Sequence, residues 1–281
     1  MQMMEVTDVR KVPALNHGEA VVMAHVELDR FLTLVESLGE DDWDLPTRCT
    51  RWNVRQTVAH LAGSTAAYAR FSEFRRQGSG KAQQPYREKG FSKLDAQNQI
   101  QVDDRAGASP AELIAELRSE GQKSLAFRAR LPAAARAVRL PLGLAFGEAL
   151  GRVWVALGYM SDTILTRDVW MHRLDIALAT GRPMVLTPQH DGRMTALVVR
   201  DIQGKLSRSL DRAVRYHLTG PAGGSYIVGP GEPAAALRMD ACNFQLLASR
   251  YALVDEIRPL VAVEGDPALA EQALAKTWAP Y

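Results

Sequence analysis

Cysteine is scarce in this chain: Cys49 and Cys242 are the only two among 281 residues, and they lie far apart. So low a count excludes the disulfide framework of a small secreted domain and points to a reducing cytoplasm. The opening residues, Met1 to Val6, have no basic stretch followed by an apolar run, so nothing there resembles a signal peptide. A long uninterrupted apolar segment is missing too. The richest region, Leu140 to Leu165, is broken by Glu148, Arg152 and Asp162, and it reads as a buried bundle helix rather than a membrane span. Excess charge of one sign is absent, with 34 basic against 32 acidic residues. No global field therefore marks a nucleic-acid partner. Internal repeats and low-complexity tracts are absent as well. What remains is an ordinary globular composition, 47% apolar and 23% charged, long enough for two domains.

The first two-thirds carry helical signals. From His17 to Leu38 apolar residues recur near helical period until Gly39. Asn53 with Gln56 three residues on forms a capping box, and the helix it starts is expected to run to about Arg76. The polar stretch 77–104, with Gly78, Gly80, Pro85 and Gly90, reads as a long connection. Ser109-Pro110-Ala111-Glu112 starts a third helix, which should end before Pro132. A fourth is expected from about Gly147 to Thr180, stopped by Gly181 and Pro183, and a further one from Thr187 to about Leu206. After Ser209 the period shortens. Strands are expected near 212–218, 225–228, 235–239 and 260–263, with helices at 241–248 and 267–276. The fold class is thus α followed by α+β: a four-helix bundle over 1–208 and a small α+β domain over 209–281.

Within the fourth helix, Asp168 and His172 stand four residues apart, and Asp175 follows three later. That spacing places a carboxylate and an imidazole on one helix face. His60, near the middle of the second helix, is the obvious complement. Two histidines and a carboxylate are a ligand set for a divalent cation, zinc above all, that leaves positions open. The same residues also read as a helix-flank histidine and an internally hydrogen-bonded pair. Cys49 reads as a small structural residue, and Trp43, Trp52, Trp154 and Trp170 as core or cleft walls. His25, His190 and His217 carry no assignment.

Trp43, Thr47-Arg48-Cys49-Thr50-Arg51-Trp52-Asn53-Val54-Arg55 and Val58-Ala59-His60-Leu61 resemble the opening motif of the mycothiol-dependent maleylpyruvate isomerase family, within the wider DinB-like metal-binding bundles. Asp168, His172, Asp175 and Gly181-Arg182-Pro183 resemble its second hallmark. Residues 219–224, 240–250 and 263–267 are similar to its smaller, sterol-carrier-like domain. The resemblance implies that His60, Asp168 and His172 hold a divalent metal, with zinc expected. It also implies that Asp175 and Arg250 serve catalysis and that mycothiol is the thiol cosubstrate. Three positions depart from the pattern: Asp168 where Glu is usual, Arg51 where Gly commonly precedes the Trp, and Ser249 where Gly precedes the Arg.

The implied chemistry is attack of a metal-favoured thiolate on an electrophilic small molecule, as mycothiol S-transferase or as thiol-dependent isomerase. The competing readings are a metal-dependent hydrolase of thiol conjugates and a non-enzymatic carrier of a small apolar ligand.

Overall fold

The computed structural model describes residues 6–141 and 154–281. The chain divides into two compact units, one formed by residues 16–183 and one by 1–15 together with 184–281. The sequence pattern set the boundary at 208/209. The division instead follows Pro183, so the helix that pattern placed last in the bundle belongs to the sheet unit.

The opening strand β1 (Val6–Asp8) belongs to the sheet unit. The bundle unit begins with α1 (His17–Glu36), whose Asn16 cap accepts from the Glu19 amide. Met23, Ala24, Leu28, Phe31, Leu32 and Val35 form its buried stripe. α2 (Val54–Ala69) starts at the expected capping box of Asn53 and Gln56 but stops at Arg70, where the backbone turns extended before α3 (Phe71–Gln77). The stretch expected as a connection instead forms two helices, α4 (Gly80–Arg87) and α5 (Lys93–Asp103), capped by Ser79 and Ser92. Its glycines fall at helix borders, where they punctuate rather than prevent helix, and Pro85 alone lies within one. α6 (Pro110–Ala129) carries the Ser109–Glu112 capping box.

A short turn α7 (Ala133–Arg136) leads to β2 (Arg139–Pro141), which pairs with β3 (Trp154–Ala156). Within the described residues, the helix expected from Gly147 begins only after this strand. It comprises a turn α8 (Leu157–Tyr159), a π turn at Met160–Ile164 and α9 (Leu165–Thr180), ended by Gly181 in the left-handed conformation, φ 65°. The expectation over 147–153 lies outside the described residues. Helices α1, α6, α2 and α9 form the bundle, with α5 laid against α2. Arg173 on α9 forms a buried two-pronged pair with Glu27 on α1, at 2.6 and 3.1 Å. Trp43 and Trp170 are buried as expected, whereas Trp154 is largely exposed.

In the other unit, α10 (Arg193–Ser209) follows a π turn at Pro188–Gly192. Three strands come next, β4 (Ala213–Thr219), β5 (Gly224–Val228) and β6 (Pro233–Asp240). They are followed by α11 (Ala241–Ser249), α12 (Val254–Ile257), β7 (Ala262–Gly265) and α13 (Pro267–Lys276). The sheet order is β1-β5-β4-β6-β7, with β1 parallel to β5, β4 antiparallel to β5, β4 parallel to β6, and β6 antiparallel to β7. Val214, Tyr216 and Leu218 alternate onto the buried face of β4, in register with Ala235, Leu237 and Met239 of β6. Phe244 of α11 meets the Tyr216 ring edge-on at 5.9 Å, and the Tyr216 hydroxyl bonds Thr277 at 2.9 Å. β1 escaped the sequence pattern because three edge residues are too few to show a period. No described helix is long and apolar enough to cross a membrane.

Candidate functional site

His60 from α2 and His172 and Asp168 from α9 converge inside the bundle. Their donor atoms lie within 4.8 Å of one another. His172 Nε2 stands 3.5 Å from Asp168 Oδ1, and His60 Nε2 stands 3.7 Å from Asp168 Oδ2. Both separations are longer than an N–H···O hydrogen bond. They match the spacing of donors around a shared ion: three ligands ~2.1 Å from a tetrahedral cation lie ~3.4 Å apart. The internally hydrogen-bonded pair is therefore the poorer description, and the donor set fits a divalent cation. The imidazoles are buried, while the Asp168 side chain keeps 27% of its surface accessible. A route to solvent or to a small molecule thus remains at the carboxylate. Burial pushes the Asp168 carboxyl upward, but the two imidazoles, His172 foremost, outweigh it and hold the group well below the usual carboxylate range.

The other nitrogen of His60 is fixed by a chain of amides. Nδ1 lies 2.7 Å from Gln101 Oε1. Gln101 Nε2 donates to Gln77 Oε1 at 2.7 Å, and Gln77 Nε2 donates to Gly63 O and to Glu73 Oε1. Each amide thereby has one permitted orientation. Gln101 must present its oxygen to His60, so Nδ1 carries the hydrogen and Nε2 keeps its lone pair toward Asp168. Trp52 covers the pair of imidazoles, its ring 4.9 Å from that of His60 and 6.4 Å from that of His172, and its indole nitrogen donates to Gln99. Gln99 and Gln101 both come from α5, in the stretch read from sequence as a connection, so the amide chain was not foreseen. The signal was present in Ser92 and Asp95, a helix start, followed by Ala96, Ile100 and Val102.

Asp175 does not join the three donors. It is fully buried, and its oxygens accept from the backbone amides of Arg48, at 2.7 Å, and Cys49, at 3.4 Å. It thereby pins the loop that delivers Trp52, which also closes on itself through Thr47 and the Trp52 carbonyl. Burial pushes the Cys49 thiol up to about 11, away from the thiolate form that a reactive cysteine uses. Arg51, where the family pattern has Gly, lays its guanidinium over Phe91 at 4.6 Å.

Arg250 belongs to the sheet unit, at the end of α11, with a left-handed backbone, φ 67°. Its guanidinium lies 4.8 Å from the Trp278 ring, whose centre is 3.4 Å from Lys205 Nζ. Burial, and secondarily the Arg250 charge, bring Lys205 down to about 8.

The helical bundle thus presents two histidines and a carboxylate to a shared point, a donor set that could hold a metal ion. The sequence profile of the mycothiol maleylpyruvate isomerase N-terminal domain matches residues 24–177, and the chain belongs to that family. Two solved structures share the fold: the mycothiol-dependent maleylpyruvate isomerase, with a TM-score of 0.57, and a histidine-to-alanine mutant of it, at 0.56. Each is 12% identical over 92% of this chain and 97% of its own. Among curated proteins no sequence matches.

Proposed function

We propose that this protein is a thiol-dependent enzyme of the maleylpyruvate isomerase type. In this reading it uses a low-molecular-weight thiol, mycothiol, against an electrophilic small molecule, in the cytoplasm. One observation carries the reading: His60, Asp168 and His172 meet at ion-sharing distances beside an accessible carboxylate edge. Family membership supports the choice of thiol.

His60 Nε2, His172 Nε2 and one Asp168 oxygen would hold the metal, with zinc the expected ion. When bound, a divalent cation supplies the positive charge that favours the thiolate form of a thiol near neutral pH. The rest is work for the chain's own groups. Gln101 keeps the His60 lone pair on Nε2 and its proton on Nδ1. Trp52 walls the two imidazoles from water, and Asp175 holds the loop that carries it. In this reading the attacking sulfur is that of the cosubstrate, and Cys49, raised by burial, does not compete with it.

Its thiolate adds to an electrophilic carbon and places negative charge on the substrate. As isomerase, the adduct rotates about the former double bond and expels the thiol. As S-transferase, the anionic adduct takes up a proton and the new C–S bond persists. Arg250 is the arginine that the resemblance assigns to catalysis, and its position beside Lys205 supports a role in attracting negative charge.

The test is consumption of maleylpyruvate by metal-loaded protein with and without mycothiol, in wild type and His60→Ala. Turnover that requires both thiol and His60 is expected. Turnover unchanged in His60→Ala refutes the mechanism.

A further inference from the structure

The bundle buries several arginines, and two of them pair with carboxylates. Arg105 pairs with Glu116 at 2.6 and 2.8 Å, and Arg173 pairs with Glu27. Arg128 on α6 differs. It is 8% exposed, and its Nη2 donates to the Thr166 hydroxyl at 2.8 Å. Among the described residues it has no other hydrogen bond and no carboxylate within ion-pair distance, and its remaining N–H groups are not among the fully buried unpartnered atoms, so they stay open to a small molecule.

The carboxylate whose field reaches Arg128 is Asp162, which is committed to His17 at 3.0 Å, Ser161 at 2.9 Å and Arg136 at 3.6 Å. Burial brings the guanidinium down to about 10, so it is still a cation at neutral pH. A largely buried charge without a counter-ion is costly, so a carboxylate reaching its open N–H groups would be strongly stabilised.

The surroundings say where that partner would sit. Tyr68 lies eight residues beyond His60 on α2, on the flank of the same broad stripe. Its hydroxyl feels both the Asp168 carboxylate and the Arg128 guanidinium. Burial first, and Asp168 second, push Tyr68 up to about 12, so it remains a hydroxyl donor. Thr166 stands two residues before Asp168 on α9. Within one unit, Tyr68 thus couples electrostatically to both Arg128 and Asp168, and Thr166 bonds Arg128 while standing two residues from Asp168 in the chain.

We propose that Arg128, assisted by Tyr68 and Thr166, binds the carboxylate of a small anionic substrate beside His60, Asp168 and His172. The planar guanidinium offers its unused N–H groups to a carboxylate as a fork. The proposal deepens the thiol-dependent reading and rests on it for the reacting centre, but it assigns carboxylate recognition to a bundle residue that no motif singled out.

The experiment is direct binding of maleate to the full-length protein by calorimetry, without thiol, in wild type, Arg128→Gln and Arg128→Lys at matched metal content. Wild type should bind saturably. Arg128→Gln should weaken binding roughly tenfold to a hundredfold, as expected for a lost charge-assisted pair, and Arg128→Lys should recover part. Uncharged maleamide on wild type reads the same contact without any substitution and should not bind. Equal maleate affinity in wild type and Arg128→Gln overturns the proposal, as does equal binding of maleate and maleamide. Inorganic phosphate binding more tightly than maleate overturns the carboxylate assignment. Maleate binding that depends on Arg128, in a protein showing no thiol-dependent turnover, upholds the subsite and sinks the thiol mechanism instead. Turnover without maleate binding does the reverse.

Discussion

The two units spend their interiors differently. The bundle unit buries Arg105, Arg128, Arg167, Arg173, Glu27, Glu120, Asp175, His60 and His172 among its apolar residues. In the sheet unit, among the described residues, the buried ionisable side chains of these types are His190 and Asp191, and Asp191 accepts from the Thr187 amide at 2.6 Å. Its described core is otherwise uncharged, with Val214, Leu218, Leu237, Phe244 and Leu274 among its fully buried residues. A buried charge stabilises less than a well-packed apolar group of the same size. A concentration of such charges in one unit marks the place where chemistry, rather than stability, has chosen the residues. The sheet unit's notable charges, Lys205 and Arg250, gather at Trp278 and outside its core.

The contrast can be broken from either side, and the largest effect is expected at the amide chain. Gln101→Leu removes the acceptor of His60 Nδ1 and strands Gln77. Metal affinity should fall about tenfold to a hundredfold. The imidazole nitrogen resonances of His60, read by NMR, should show loss of the single Nδ1–H tautomer. An unchanged tautomer would show that Gln101 is packing alone.

Gly63→Ala reaches the same chain indirectly. A Cβ there would come within 2.5 Å of Gln101 Cβ, so α5 must shift, at roughly 1–3 kcal/mol, and metal affinity should fall with stability. Its counterpart in the sheet unit is Gly223→Ala, whose Cβ would meet the Leu218 carbonyl oxygen at 2.1 Å. The stability cost should be similar or larger because backbone has to move, yet metal content should be unchanged. Equal loss of metal in both variants would erase the distinction between the units.

Asp175→Ala should cost roughly 1–3 kcal/mol by leaving the Arg48 and Cys49 amides without their acceptor. Limited proteolysis should then cut between Thr47 and Trp52. A resistant loop would argue against the positioning role.

The smallest effect concerns Lys205. Its folded pKa of about 8 lies below the unfolded value, so between about 8 and 10.5 the unfolded chain binds more protons. The group opposes folding at lower pH, and that opposition fades as pH rises through the window. Because Lys205 is only partly buried, the change is modest. The melting temperature of wild type should fall slightly relative to that of Lys205→Met as pH is lowered from 10 to 7, and an unchanged difference would contradict the shift.

Much of this was legible in the sequence. The capping boxes at Asn53–Gln56 and Ser109–Glu112 and the Gly181 stop name their own helix ends, because caps act through neighbours in the chain. Asp168 and His172 were legible for the same local reason, being one turn apart. His60 joined them by type and by family resemblance. Gln101 and Arg128 were not visible, since a glutamine gains meaning only from the histidine it faces, and an arginine only from the carboxylate it lacks. The segment 77–104 misled because its glycines and proline were read as continuous loop when most sit between short helices. The α10 helix was assigned to the wrong unit because an amphipathic stripe shows that a face is buried, not against what.

The central claim is that His60, Asp168 and His172 together hold a divalent cation. Its most direct test is the metal content of tag-free protein by mass spectrometry, before and after zinc reconstitution, in wild type and His172→Ala. About one metal per chain in wild type, lost in the variant, is the predicted result. No metal in either protein, even after reconstitution, would contradict the account.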